Sequence, residues 1–236
     1  MYQFKALFKK ELRIYFNSPI AYIFAISFLV FSTWLFFRFF FLQGQVEMRS
    51  FFGILPWLFL FFLPALSMRL WSEEYRQGTI EVLFTSGISE WKAVAAKYLA
   101  SVTLLLSLLL LTALLPISIS FLGNLDWGVV LLSYLGAFLL GAAYLSIGLW
   151  ASALTSNQIV AFILGILSIF GVYIVGHSMV TFSLPAKLAS IFQMISLSSH
   201  YESISRGVLD TRDLIYFVSI ILLFGGLNVY LLIKKR

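Results

Sequence analysis

His177 and His200 are all the imidazoles this 236-residue chain offers to acid–base or metal chemistry. His200 stands two positions before Glu202, a pair that could hold a cation at an outer surface and that reads equally as two solvated loop residues. Neither histidine has convincing carboxylate partners nearby in the chain, so no metal centre is expected. Cysteine is absent, which excludes structural disulfides, a thiolate nucleophile and a cysteine zinc site. HExxH and GxSxG do not occur, so no catalytic residue is assigned and the chain reads as a non-enzyme. GxxxxGK[ST], the loop whose backbone amides cradle nucleotide phosphates, is missing as well. No segment between the apolar runs is long enough for a nucleotide-binding fold. Any ATP-driven work would therefore need a second chain to hold ATP and Mg, and this one is expected to bind no cofactor.

The elements behind these residues follow from composition. Hydrophobic residues make up 61% of the chain and charged residues 11%, against roughly 25% charged in an ordinary soluble domain. The apolar residues fall into runs at Ile20 to Leu42, Phe51 to Met68, Tyr98 to Phe121, Val129 to Trp150, Ile159 to Gly176 and Leu214 to Ile233, each near the length that crosses about 30 Å of hydrocarbon. The expected fold is all-α: one polytopic membrane domain over residues 1–236 with six spans and both termini on one face. Lys5, Lys9, Lys10 and Arg13 precede the first run as they would in a signal peptide. That run is too long for such a segment and no small-residue cleavage site follows, so it is read as an anchor.

Charge orients the domain. Lys5, Lys9, Lys10, Arg13, Arg69, Arg76, Lys92, Lys97, Lys234, Lys235 and Arg236 fall on one side of this layout; Arg38, Arg49, Lys187, Arg206 and Arg212 fall on the other. The basic side is expected in the cytoplasm, with both termini. Acidic residues divide five to a side, so the net charge of +6 resides in that collar, where it suits anionic lipid headgroups. No nucleic-acid partner is expected.

Three segments lie outside the spans. In residues 1–18, Phe4, Leu7, Phe8, Leu12, Tyr15 and Phe16 recur at helical spacing, with Lys5, Lys9, Lys10 and Arg13 on most of the remaining face. This predicts an interfacial helix with its apolar face in acyl chains and its lysines at headgroups, broken at Asn17, Ser18 and Pro19. Residues 69–97 are the long segment on the basic side. Glu73, Glu74 and Arg76 continue the second helix, Gly78 can end it in a left-handed conformation, and Thr79 can cap a short helix carrying Glu81 in its first turn and Leu83 on an apolar face. Ser86 and Gly87 break that helix, and Ser89 can cap the next with Glu90 in its first turn. In residues 177–213, Leu188, Ile191, Phe192, Met194, Ile195 and Leu197 are too apolar for a solvated loop and too few to span twice, which predicts re-entrant or surface helices. His200, Tyr201, Glu202 and Arg206 there could meet an external partner, or could belong to a folded lid.

Glu73-Glu74, Gly78-Thr79-Ile80-Glu81-Val82-Leu83, Ser89-Glu90-Trp91-Lys92 and Lys97 together resemble the permease subunits of type-2 ABC exporters. Ser205-Arg206-Gly207-Val208-Leu209-Asp210-Thr211-Arg212-Asp213 is similar to the gliding-motility-associated group of these permeases. The resemblance covers essentially the whole chain. It departs at Gly87, where the family often has proline, and at Ala96, where it often has glycine. It implies that Glu73, Glu74, Arg76, Gly78, Thr79, Glu81, Leu83 and Glu90 belong to a coupling segment seated in a cleft of an ABC ATPase dimer. It also implies a second permease subunit, either a larger partner with an external domain or an identical copy, and export or extraction of a substrate from a bacterial cytoplasmic membrane.

Within the spans Arg38 is the one charge, near an outer end where it can snorkel. Mid-membrane acidic groups, the usual mark of a proton-driven pump, are missing, which disfavours a secondary transporter. A subunit that transmits mechanical motion to an external partner without moving a substrate shares every feature above. Pro56, Pro64 and Pro116 can kink their helices. Ala137 with Gly141 and Gly148 with Ser152 place small residues one turn apart for close helix contact.

Overall fold

The computed structural model describes residues 2–43, 46–85, 87–182 and 184–235; all regular structure among them is helical. In chain order the helices are α1 (Tyr2–Phe16), α2 (Pro19–Gln43), α3 (Arg49–Ser67), α4 (Arg69–Gln77), α5 (Thr79–Thr85), α6 (Glu90–Thr112), α7 (Leu114–Ser120), α8 (Trp127–Leu154), α9 (Gln158–Ile174), α10 (Ser178–Thr181), α11 (Ala186–Ile195), α12 (Leu197–Ser205) and α13 (Thr211–Lys234). Polar residues set several of the starts. Asp126 accepts from the amides of Gly128 and Val129, Asn157 from Ile159 and Asp210 from Arg212, which satisfies amides that have no partner inside the helix.

Five of the six expected spans are helices long and apolar enough to cross a membrane: α2, α3 with its continuation α4, α6 with α7, α8 and α13. The sixth, α9, has 17 residues, about 25 Å at 1.5 Å per residue. It nevertheless runs from one end of the bundle to the other. Gln158 at its start binds Glu73 on α4, and the Tyr173 carbonyl near its end accepts from Ser196, just ahead of α12. The chain is thus a multi-pass, all-α membrane protein built around α8, the most buried helix.

The third expected span, read from Tyr98 to Phe121, is divided at Ala113. Pro116 has no N–H to give the Thr112 carbonyl, so the helical ladder fails there. Pro56 and Pro64 lie inside α3, which continues through both and ends at Ser67.

The small residues on α8 are where other helices come closest. A Cβ on Gly141 would sit 2.6 Å from Leu105, and one on Gly148 would sit 2.2 Å from the Ser67 hydroxyl oxygen. Ser152, one turn further, accepts from the amides of Trp71 (3.0 Å) and Ser72 (3.2 Å) and donates to the Met68 carbonyl (2.7 Å). A side chain of one helix thereby caps the break between two others. Ser152→Ala is expected to cost about 0.5–2 kcal/mol, as for a lost helix cap, seen as a lower thermal-unfolding midpoint in detergent.

Both termini lie at one end of this bundle. There Glu11 meets Lys97, and the Lys235 ammonium donates to the carbonyls of Ala153 (2.7 Å) and Leu154 (3.0 Å) at the end of α8. At the opposite end the Tyr201 hydroxyl of α12 donates to the Phe52 carbonyl at the start of α3 (2.7 Å), and Ser133 donates to the Ser205 carbonyl (3.1 Å).

Candidate functional site at the charged end of the bundle

A helix carrying an acid in its apolar stripe needs a cation on the surface it packs against. On α1, Leu7, Glu11 and Tyr15 follow one another at four-residue spacing and all are buried. That face lies on α6, where the first turns carry Lys97 at 1% exposure. Part of the face expected in acyl chains is therefore packed against protein. The Lys97 ammonium is 2.9 Å from Glu11 and 3.1 Å from Glu74 on α4, and lies over the Trp71 ring at 5.1 Å. Its three donors thus have two carboxylates and one aromatic face to serve.

Glu74 also receives Lys10 of α1 at 3.4 Å and the Thr79 hydroxyl of α5. Burial pushes the Glu74 carboxyl up, but Lys97, Thr79 and Lys10 outweigh it and hold the group well below the usual carboxylate range. Thr79 thus does not cap α5 with its side chain, as the sequence suggested. Its hydroxyl turns back and donates to Glu74, a charge-assisted bond that holds the side chain against α4. Tyr15 adds to the same knot: its hydroxyl lies 3.2 Å from the Leu66 carbonyl and 3.0 Å from the Ser101 hydroxyl, and the Arg69 guanidinium sits over its ring at 5.0 Å.

Glu73, one residue earlier on α4, faces the surface and binds Arg76 (2.7 Å), Gln77 (2.5 Å) and Gln158 of α9. Those hydrogen bonds, Arg76 first, hold its carboxyl below the ordinary value. Gly78 ends α4 at φ 68°, the left-handed position expected for it. Gly87 is left-handed too, at φ 79°; Ser86 lies outside the described residues. Ser89 takes the N-cap position of α6 without a side-chain cap bond, and Glu90 is half-buried in the first turn.

The short helix α5 turns Leu83 and Phe84 inward and leaves Glu81, Val82 and Thr85 exposed, Val82 at 68%. Trp91 at the start of α6 is exposed as well, at 61%. The arrangement is a protrusion with an open outer face and a fastened base. The base is tied to α1 and α6 through Lys97, to α8 through Ser152, to α9 through Gln158, and to α13 through Lys235, whose ammonium lies over the Tyr75 ring at 4.6 Å. The base of the protrusion is therefore joined to several spanning helices through short polar contacts.

Of the basic residues expected at headgroups, Lys5, Lys9, Lys10 and Arg13 line one exposed depression on α1, and Lys10 alone among them turns to an ion pair. At the far end His200, Tyr201, Glu202 and Arg206 do not form one site. His200 lies 2.6 Å from Asp213, 3.1 Å from the Met194 carbonyl and stacks on Tyr216. Tyr201 is buried rather than offered outward, while Glu202 and Arg206 pair one turn apart at the surface. The carboxylate partner of His200 is Asp213, not Glu202.

Sequence reasoning missed Glu11, Ser152, Gln158 and Lys235. Glu11 carried a signal, an acid at the centre of an otherwise apolar stripe. Ser152 was legible only as a small residue for close helix contact and Gln158 carried no signal, because their hydrogen-bond partners are far away in the chain. A family model described as "ABC-2 family transporter protein" matches residues 19–233, which covers α2 through nearly all of α13 and leaves α1 outside. No curated protein matches the sequence.

Proposed function

This chain belongs to the ABC-2 family of transporter proteins, and from that premise we propose that it is the permease subunit of an exporter, driven through α4 and α5 by a separate ABC ATPase. Membership implies a partner ATPase in general. The observation that supports this contact point is the protrusion with an exposed Glu81, Val82 and Trp91 face and a base buried on Lys97. Closure of an ATPase dimer against that face would displace α5, and the polar ties at its base would turn the displacement into rocking of the helices. ATP and Mg would stay with the ATPase.

On this reading the α1, α4 and α5 end faces the bacterial cytoplasm, in keeping with its excess of basic residues. A second permease subunit, larger or identical, would complete the pathway. The Ser205 to Asp213 stretch supports the gliding-motility-associated subgroup. A mechanical role on an external partner is the second reading. It is favoured by Met179, Phe182 and Met194, all more than two-thirds exposed around α10 and α11.

Val82→Asp, Glu81→Arg and Gly78→Val test the contact. Each is expected to lower ATP-coupled flux in reconstituted vesicles by about tenfold, as for a loss near 1.4 kcal/mol of coupling, with membrane insertion unchanged. Glu202→Gln at the opposite end is expected to have no effect. Wild-type coupling in all three variants would remove α5 as the contact point.

A further inference from the structure

Two cavities, one polar and one apolar, are lined by consecutive residues towards the charged end. The polar one, about 540 Å³, lies between α1, α4 and the starts of α6 and α9 and is lined by Lys10, Arg69, Glu73 and Gln158 among others. The apolar one, about 400 Å³, is a groove between α2, α3 and α9 lined by Phe24, Phe61, Phe62, Met68, Ile159 and Phe162. Both volumes fall in the range of ligand clefts, about 300–1,000 Å³. Met68 of the groove immediately precedes Arg69 of the cavity, and Gln158 of the cavity immediately precedes Ile159 of the groove. On two separate helices, then, the change from apolar to polar lining takes one residue.

The charge at this junction is not balanced. The cavity holds the cations Lys10, Arg69, Arg76 and Lys97 against the carboxylates Glu11, Glu73 and Glu74. The carboxylates are engaged by Lys97, Lys10 and Arg76. Arg69 is left with no carboxylate among the described residues; its contact is the face of Tyr15. None of the hydrogen bonds and ion pairs among the described residues uses an N–H of this guanidinium, and such a fork can bind a phosphate in two-point fashion.

We propose that groove and cavity together bind a membrane phospholipid with an anionic headgroup, its acyl chain among the phenylalanines and its phosphate on Arg69. The complement is one of charge and of polarity, an unmatched cation at the edge of a wholly apolar slot. The site depends on this chain alone and stands or falls separately from the ATPase reading.

The full chain, without any ATPase, is reconstituted in phosphatidylcholine vesicles doped with a diazirine-acyl phosphatidylglycerol or with the matching phosphatidylcholine probe. Adducts are mapped by mass spectrometry. Phosphatidylglycerol is expected to label the peptides carrying Phe24, Phe62 and Phe162 about fivefold more than phosphatidylcholine, the preference of a single basic residue at a membrane surface. Arg69→Gln should abolish that preference, and Arg69→Lys, which keeps the charge and loses the two-point fork, should keep part of it. Phe162→Trp, which fills the groove and leaves the charge alone, should lower labelling by both probes. Lys9→Gln, on the exposed depression, should change nothing. Equal labelling by the two lipids, or a loss in Lys9→Gln as large as in Arg69→Gln, overturns the proposal, the second because it would reveal a diffuse basic surface. Undiminished labelling in Phe162→Trp overturns it too.

Discussion

Lys97→Met is expected to destabilise the protein by about 3–5 kcal/mol, the cost of stranding a buried charge. The lysine is 1% exposed and is the cation in contact with both Glu11 and Glu74. Methionine keeps most of the volume and removes the charge. Glu74 retains Lys10 at 3.4 Å, but Glu11 has no second cation within ion-pair distance among the described residues. The thermal-unfolding midpoint in detergent reads the effect. Adding Glu11→Gln should recover a large part of it, because the loss comes from the uncompensated carboxylate more than from the missing pair. A midpoint unchanged in Lys97→Met would mean that water reaches this cluster. The fastening of α1 to α4 and α6 would then rest on packing alone.

Gly176→Ala is expected to cost about 1–3 kcal/mol, as for an overfilled core, although it adds a single methyl. A Cβ there would lie 2.4 Å from the Ser196 Cβ, 2.8 Å from the Phe192 carbonyl oxygen and 3.0 Å from the Gln193 Cα. Two of those three atoms are backbone, so no rotamer change makes room. The methyl would wedge the end of α9 away from α11 and from the Ser196 turn that starts α12, loosening the outer cover of the bundle. Gly171→Ala, at the same helix end but with nothing within 4 Å of its Cβ, should be neutral or slightly stabilising, as expected when a helical glycine is replaced in open space. Equal midpoints for the two variants would show that the outer cover yields freely.

The structure also separates two kinds of legibility in the coupling segment. Gly78 was readable as a left-handed stop and Gly87 as a helix break because the steric restriction acts within one residue. The role of Thr79 was not, since its hydroxyl donates to a carboxylate five residues back, and only the fold brings Lys97 and Lys10 to keep that carboxylate charged. Tyr201 shows the same limit at the other end. A tyrosine in a polar run reads as exposed, and its burial depends on where α3 and α8 stand.

By itself the amino-acid sequence determined the all-α class, the apolar runs, the collar of basic residues on one side and the succession of helix, short helix and helix from Arg69 to Lys97. These follow from hydropathy, chain length and the local preferences of glycine and proline, which act over a few positions. Tertiary structure alone decided that α1 is fastened to α6 and α4 by Glu11, Lys97 and Glu74, that Ser152 caps the break before α4, and that Arg69, next in the chain to Met68 of the aromatic groove, has no carboxylate partner among the described residues. Each of these joins residues far apart in the chain, and a buried charge or an unpaired amide selects its partner only after packing has brought the candidates within hydrogen-bonding reach.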